Sequence, residues 1–202
     1  MDVKELMDLM NLEDKESISF IQQMKDYEDR VFWIEGEIEE DIMLLGKRII
    51  EYNKVDKGIP IEERTPIKIF ISSNGGLLDE TLTLVRLIEI SKTPIYTINA
   101  CYSYSAAALF LISGHKRFAL PETKCLFHSG SGGYSGTFDQ TQAAMDDYKK
   151  SVKQMQDYIL SKTTIDAKLL NKKKSYDWYL SADEMVKYGV VDKIITDLDE
   201  IL

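Results

Sequence analysis

A serine hydroxyl becomes a nucleophile when a base takes its proton, and a histidine base works best when a carboxylate fixes its ring. The 202-residue chain has only two histidines, His115 and His128, so the choice of base is narrow. Ser105 stands where a strand-like run ends and Ala106, Ala107 and Ala108 open an apolar stretch. A helix start favours developing negative charge, and small neighbours let a carbonyl come close. The same position equally suits a plain N-cap, whose hydroxyl satisfies orphan N–H groups. Ser103 competes with Ser105 from two residues back, within the strand end.

His115 lies in the polar turn Gly114-His115-Lys116-Arg117, which predicts exposure. His128 closes the run Cys125-Leu126-Phe127 and enters a glycine-rich stretch, where a rigid strand end can present a side chain to a cleft. A satisfied structural histidine is the other reading. Asp177 stands between the basic run Lys172-Lys173-Lys174 and the aromatic pair Trp178-Tyr179. Locally it reads as an orienting carboxylate or as a solvated loop aspartate. A second glycine-bearing segment, Ser72-Ser73-Asn74-Gly75-Gly76, reads as a turn between strand and helix. Its successive N–H groups could cradle an anion, or it could be a tight connection only. Neither GxxxxGK[ST] nor GxGxxG is present, so it is not a phosphate loop.

The elements that must hold these residues alternate along the chain. Strands are predicted at 31–35, 67–72, 94–100, 117–120 and 124–128, with a last one in VVDKII. Helices are predicted at 39–53, 77–91, 105–113 and from Thr137 to about Lys162. The long one opens with the capping-box pattern Thr137-x-x-Gln140, and a final helix opens with Ser181-x-x-Glu184 and stops at Gly189. Met145, Tyr148, Val152, Met155 and Ile159 make a stripe suited to helix-on-helix packing. Such alternation predicts an α/β fold with a largely parallel sheet and repeated β-α units. Near the N-terminus, Val3, Leu6, Met7 and Met10 share one face of a short acidic amphipathic helix.

Composition excludes several classes. A net charge of -9 disfavours nucleic acid, whose non-specific binding draws on clustered Lys and Arg. No apolar run is long enough to span a membrane, and the acidic N-terminus does not read as a signal peptide. Cys101 and Cys125 are expected to be reduced and buried, and the protein cytoplasmic. Two histidines and no Cys-x-x-Cys suggest neither metal nor redox cofactor.

Together the segments resemble the proteolytic subunit of the Clp protease, the caseinolytic serine peptidase family, from about Asp29 to Ile195. The family's strand and Ser-Pro-Gly-Gly turn are matched by IKIFISSNGG. Its serine, apolar helix and Gly-Lys-Arg-Phe-Ala-Leu-Pro strand are matched from Ser105 onward, with Lys116 to Pro121 identical in letter. His128 precedes Gly132-Gly133-Tyr134-Ser135-Gly136 as the family's histidine precedes its glycine loop. Asp177 stands before Tyr179-Leu180-Ser181-Ala182-Asp183-Glu184, as the family's aspartate stands before Phe-Leu-Ser-Ala-Glu-Glu. The order Ser, His, Asp argues against an α/β-hydrolase.

The resemblance implies a crotonase-like fold and a serine endopeptidase with Ser105 as nucleophile, His128 as general base and acid, and Asp177 as orienting carboxylate. It implies an oxyanion site on the backbone N–H groups of Ala106 and Gly76, with Gly75 the weaker candidate. It also implies a protruding handle helix at 137–162, identical subunits in stacked heptameric rings, peptide or unfolded protein as substrate, and an ATP-dependent unfoldase as partner. Residues 1–16 read as a separate acidic segment in place of the family's pore loop, and 17–202 as one peptidase domain. The chain departs from the family at Cys101-Tyr102-Ser103-Tyr104-Ser105-Ala106-Ala107, where Gly-Met-Ala-Ala-Ser-Met-Gly is usual, and at Ser129-Gly130, where Gln-Pro is usual. On the strand at 67–71, Phe70 fits the family's unfoldase-docking aromatics and Lys68 does not. These departures leave two alternatives: a non-catalytic ring or scaffold subunit, and a phage-type capsid-maturation protease.

Overall fold

Runs of β-branched residues set the sheet of this computed structural model, which describes residues 25–173 and 176–201. Strand β2 (Ile67–Gly76) is buried on both faces from Ile67 to Ile71, as the inner strand of a parallel sheet must be. It pairs in parallel with β1 (Val31–Ile38) on one side and with β3 (Ile95–Tyr104) on the other. The lower part of β3, Tyr96–Asn99, pairs with β4 (Lys116–Ala119), and β4 with the two-residue β7 (Lys193–Ile194). Its upper part, Tyr102–Tyr104, leaves β4 and pairs with β5 (Lys124–Phe127). One pairing is antiparallel, between β5 and β6 (Trp178–Ser181). The fold is α/β with a mostly parallel sheet.

Period-two alternation sorts the side chains. Ile67, Ile69, Ile71 and Ile95 enter the main core, under α1 (Met43–Val55), α2 (Leu78–Ile90) and α3 (Ala106–Leu111). Phe70, Ile98 and Phe118 point the other way into a smaller cluster closed by Ile195 and Ile201. Phe70 there stacks on Trp33, ring centroids 4.8 Å apart. The predicted helix at 39–53 begins one turn later in α form, after a 3-10 turn at Glu40–Ile42.

Helix α4 (Phe138–Lys162) carries the capping box read from Thr137 and Gln140. Its 25 residues span about 37 Å at 1.5 Å per residue. The apolar stripe is divided: Met155 and Ile159 are buried on the body, while Met145 is exposed. Arg117 fastens the helix end, its Nη1 donating to Lys162 O at 2.7 Å and to Gly189 O at 2.9 Å. The same guanidinium pairs with Asp192, which gives the letter-for-letter match around Arg117 a physical reason. Helix α6 (Ala182–Lys187) keeps the second capping box, from Ser181 and Glu184.

Several local expectations are corrected. Ser72–Gly76 is not a turn; β2 runs straight through it, and Glu37 and Ile38 lie opposite Gly75 and Gly76. Lys172 and Lys173 of the basic run form the last turn of α5 (Ala167–Lys173). Cys125 is buried and its thiol pushed up by desolvation, but Cys101 is exposed; both are free. VVDKII contributes only Lys193 and Ile194 as strand, because the Val190 and Val191 N–H groups are taken by Met185 O at the end of α6. The amphipathic helix read at 2–11, the segment 1–16, and Lys174 lie outside the described residues. Among the described residues, no helix is long and apolar enough to cross a membrane.

Candidate active site

Ser105 follows β3 directly, and its N–H donates to Leu126 O at 3.0 Å, so pairing with β5 continues up to the serine. The chain then reverses into α3 within one residue. That reversal puts Ser105 at φ 56° and ψ -123°, a conformation costly for any residue with a Cβ. Ala106, Ala107 and Ala108 are buried behind it. The N-cap reading fails on geometry: Ser105 occupies the cap position, yet its side chain makes no capping hydrogen bond. Its Oγ lies instead 2.6 Å from His128 Nε2. Ser103 is fully buried in β3, and its Oγ has no hydrogen-bond partner among the described residues.

The β5–β6 ladder sets the other side of the imidazole. Lys124, Cys125, Leu126 and Phe127 face Ser181, Leu180, Tyr179 and Trp178 in turn. One further step along this register brings His128 opposite Asp177. The nearest atoms, His128 Nδ1 and Asp177 Oδ1, are 3.9 Å apart, outside hydrogen-bond range. The Asp177 side chain is 60% exposed and that of His128 only 25%. The structure therefore brings Ser105 and His128 into contact and leaves Asp177 within charge range alone. His115 is exposed, as its turn predicts, and its Nδ1 accepts the Ile95 N–H at 3.0 Å.

Gly75 and Gly76 flank the serine. A Cβ on Gly75 would fall 2.5 Å from Tyr104 O and 2.8 Å from both Ala106 N and Ser105 Cβ, and φ there is +88°. Only glycine lets β2 approach the serine turn this closely. The Gly75 N–H is occupied, donating to Ser73 Oγ at 3.1 Å. Ala106, as the first residue of α3, presents an N–H with no acceptor inside the helix. A cleft of about 630 Å³ opens over these groups, and Tyr148, Val152 and Met155 of α4 line its far side.

Three features escaped sequence reasoning. β6 was not anticipated, although Trp178-Tyr179-Leu180 has the aromatic and apolar alternation of a strand. Tyr104 and Tyr179 meet edge to face at 5.6 Å beside the serine, and burial together with Tyr179 raises the Tyr104 phenol above its ordinary value. Glu37 also lines the cleft. No local pattern signals this, because it depends on strand register.

A strained serine between strand and helix, hydrogen-bonded to a histidine at the end of a neighbouring strand, is thus the arrangement at this end of the α/β sheet. The profile of the family described as Clp protease matches residues 27–197. A curated relative, the ATP-dependent Clp protease proteolytic subunit 2 of Treponema denticola, is 30% identical over 138 residues, covering 67% of this chain and 69% of the relative. The chain belongs to the Clp protease family.

Proposed function

We propose that this chain is a serine endopeptidase whose reacting groups are Ser105, His128 and Asp177. The 2.6 Å contact between Ser105 Oγ and His128 Nε2, made by a serine that caps nothing, carries this reading. Ser105 Oγ attacks a peptide carbonyl carbon while His128 Nε2 takes its proton. The C–N bond then breaks, and His128 returns that proton to the departing amine. Water, deprotonated by the same nitrogen, releases the acyl group and restores the serine. Asp177 holds the tautomer with the proton on Nδ1. The negative oxygen rests on the Ala106 and Gly76 N–H groups, since the Gly75 N–H is already donated.

Residues 17–202 act in this reading as one peptidase domain in the cytoplasm. Copies assemble into stacked heptameric rings, with the exposed start of α4 between rings and peptide or unfolded protein as substrate. Phe138 and Met145, exposed on that part of α4, suit such an interface. The relative's name includes ATP dependence, and an ATP-driven unfoldase is the partner class we propose here.

The test is hydrolysis of short fluorogenic peptides by the assembled protein. Turnover that vanishes in Ser105→Ala upholds the proposal. A second reading, a non-catalytic ring subunit, is favoured by the 3.9 Å separation and exposure of Asp177. Assembly with an active relative and no turnover of its own would establish that instead.

A further inference from the structure

The register between β1 and β2 slips once, between Gly36 and Glu37. Gly36 pairs with Ser73, and the next residue, Glu37, pairs with Gly75. Irregularities of this kind re-aim a side chain, and they recur beside active sites. Here the slip carries Glu37 to the rim of the cleft over Ser105, beside Gly75 and Gly76. Glu37 is exposed and bears the sole carboxylate among the described residues lining that cleft; no Lys or Arg lines it. Among the described residues its side chain makes no hydrogen bond or ion pair. Leu77, half-exposed, follows at once, its N–H held by Ile38 O at 2.9 Å, so apolar surface adjoins the carboxylate.

We propose that Glu37 is a specificity-determining residue that favours a Lys or Arg side chain in a peptide lying across this cleft. The proposal rests on the peptidase reading given above. A long aliphatic stem with a cationic tip matches an apolar surface ending in a carboxylate, whereas a neutral stem gains only the first half of that match. Apart from the His128 imidazole, the remainder of the cleft mixes Leu126, Tyr148, Val152 and Met155 with the uncharged Asn74, Ser129 and Ser131, and distinguishes charge poorly. The neighbouring groove, which Glu37 also borders, carries Glu35, Glu39, Asp41 and Glu51 against Lys47, Arg48 and Lys54, so its net charge has the same sign as Glu37.

The experiment uses the full-length Ser105→Ala protein and fluorescein-labelled peptides, read by fluorescence anisotropy. Each peptide carries Lys, Arg, norleucine or Glu at one scanned position. At one position Lys or Arg binds about fivefold tighter than norleucine, the scale of an exposed ion pair. That gain disappears in 0.5 M salt and in the added Glu37→Gln change, and Glu37→Lys turns the preference toward Glu. Thermal melts confirm that these surface variants fold. A scan with no cation preference, or a preference that survives Glu37→Gln, overturns the proposal, as does failure of every peptide to bind. Binding needs no chemistry, so an inert wild-type protein with a charge preference would defeat the peptidase reading while leaving Glu37 its role.

Discussion

His128 stands opposite Asp177 one step beyond the last rung of the β5–β6 ladder, Phe127 against Trp178, yet their nearest atoms are 3.9 Å apart. The sheet sets the pairing while leaving the carboxylate about 1 Å short of a hydrogen bond. The Asp177 side chain is 60% exposed, and catalytic hydrogen bonds that are long without substrate commonly tighten when it binds. Asp177→Asn should therefore lower kcat by about 10²–10⁴-fold with little change in KM. Steady-state kinetics on a fluorogenic peptide measure this. A drop smaller than threefold would remove Asp177 from the mechanism.

Gly75 tests how closely strand β2 must approach the serine turn. Gly75→Ala puts a methyl 2.5 Å from Tyr104 O and onto a backbone at φ +88°, so Ser105 or β2 must shift. A displacement of about 1 Å at a reacting group costs on the order of 100-fold in rate. Gly133→Ala is the control, since a Cβ there meets nothing within 4 Å. Equal activity of the two variants would contradict the assigned geometry.

The backbone of Ser105 offers a test independent of activity. At φ 56° and ψ -123° any Cβ is strained, and glycine is not. Ser105→Gly should be more stable than Ser105→Ala by about 1 kcal/mol, at the low end of the cost of such conformations. Urea denaturation with an unchanged slope reads the difference. Ser105→Ala proving the more stable would mean the turn is relaxed in solution.

Much of this was legible in the sequence, for identifiable reasons. Isoleucine-rich strands, two capping boxes and the Gly189 stop are local signals, and the elements they predict at 67–71, 138–162 and 182–187 are present. The serine's role was not locally legible, because an N-cap and a strained elbow share the same residue type and position. Only φ and the direction of Oγ separate them, and both depend on pairing with β5. β6 was hidden for the same reason: four residues between a basic helix end and a capped helix acquire strand character from Lys124–Phe127. The polar linker after α1 likewise gave no sign that Asp56 would be buried.

Asp56 makes the stability of the fold pH-dependent. It is 2% exposed, receives both Arg30 guanidinium nitrogens at 2.7 Å, and accepts the Thr93 hydroxyl at 2.7 Å. The hydrogen bonds from Arg30 hold its carboxyl below the ordinary carboxylate value. The folded-state pKa is thus below the unfolded one. The stabilisation is complete above the unfolded value, about pH 4, and is lost as pH falls through the folded one. Asp56→Asn should cost about 2 kcal/mol at pH 7, since the part-buried Arg30 loses its charged hydrogen-bond partner. The variant's melting temperature should also fall less steeply below pH 4 than that of wild type. Parallel melting curves from pH 7 to pH 3 would show that Asp56 carries none of this dependence.

The reactivity of Ser105 bears most directly on the whole account. A fluorophosphonate probe reacts with a serine whose proton has an acceptor in place, and intact-mass and peptide mass spectrometry locate the adduct. The account predicts a single adduct on Ser105, lost in Ser105→Ala and strongly slowed in His128→Ala. Labelling on another serine, or none on the assembled wild-type protein, would contradict it.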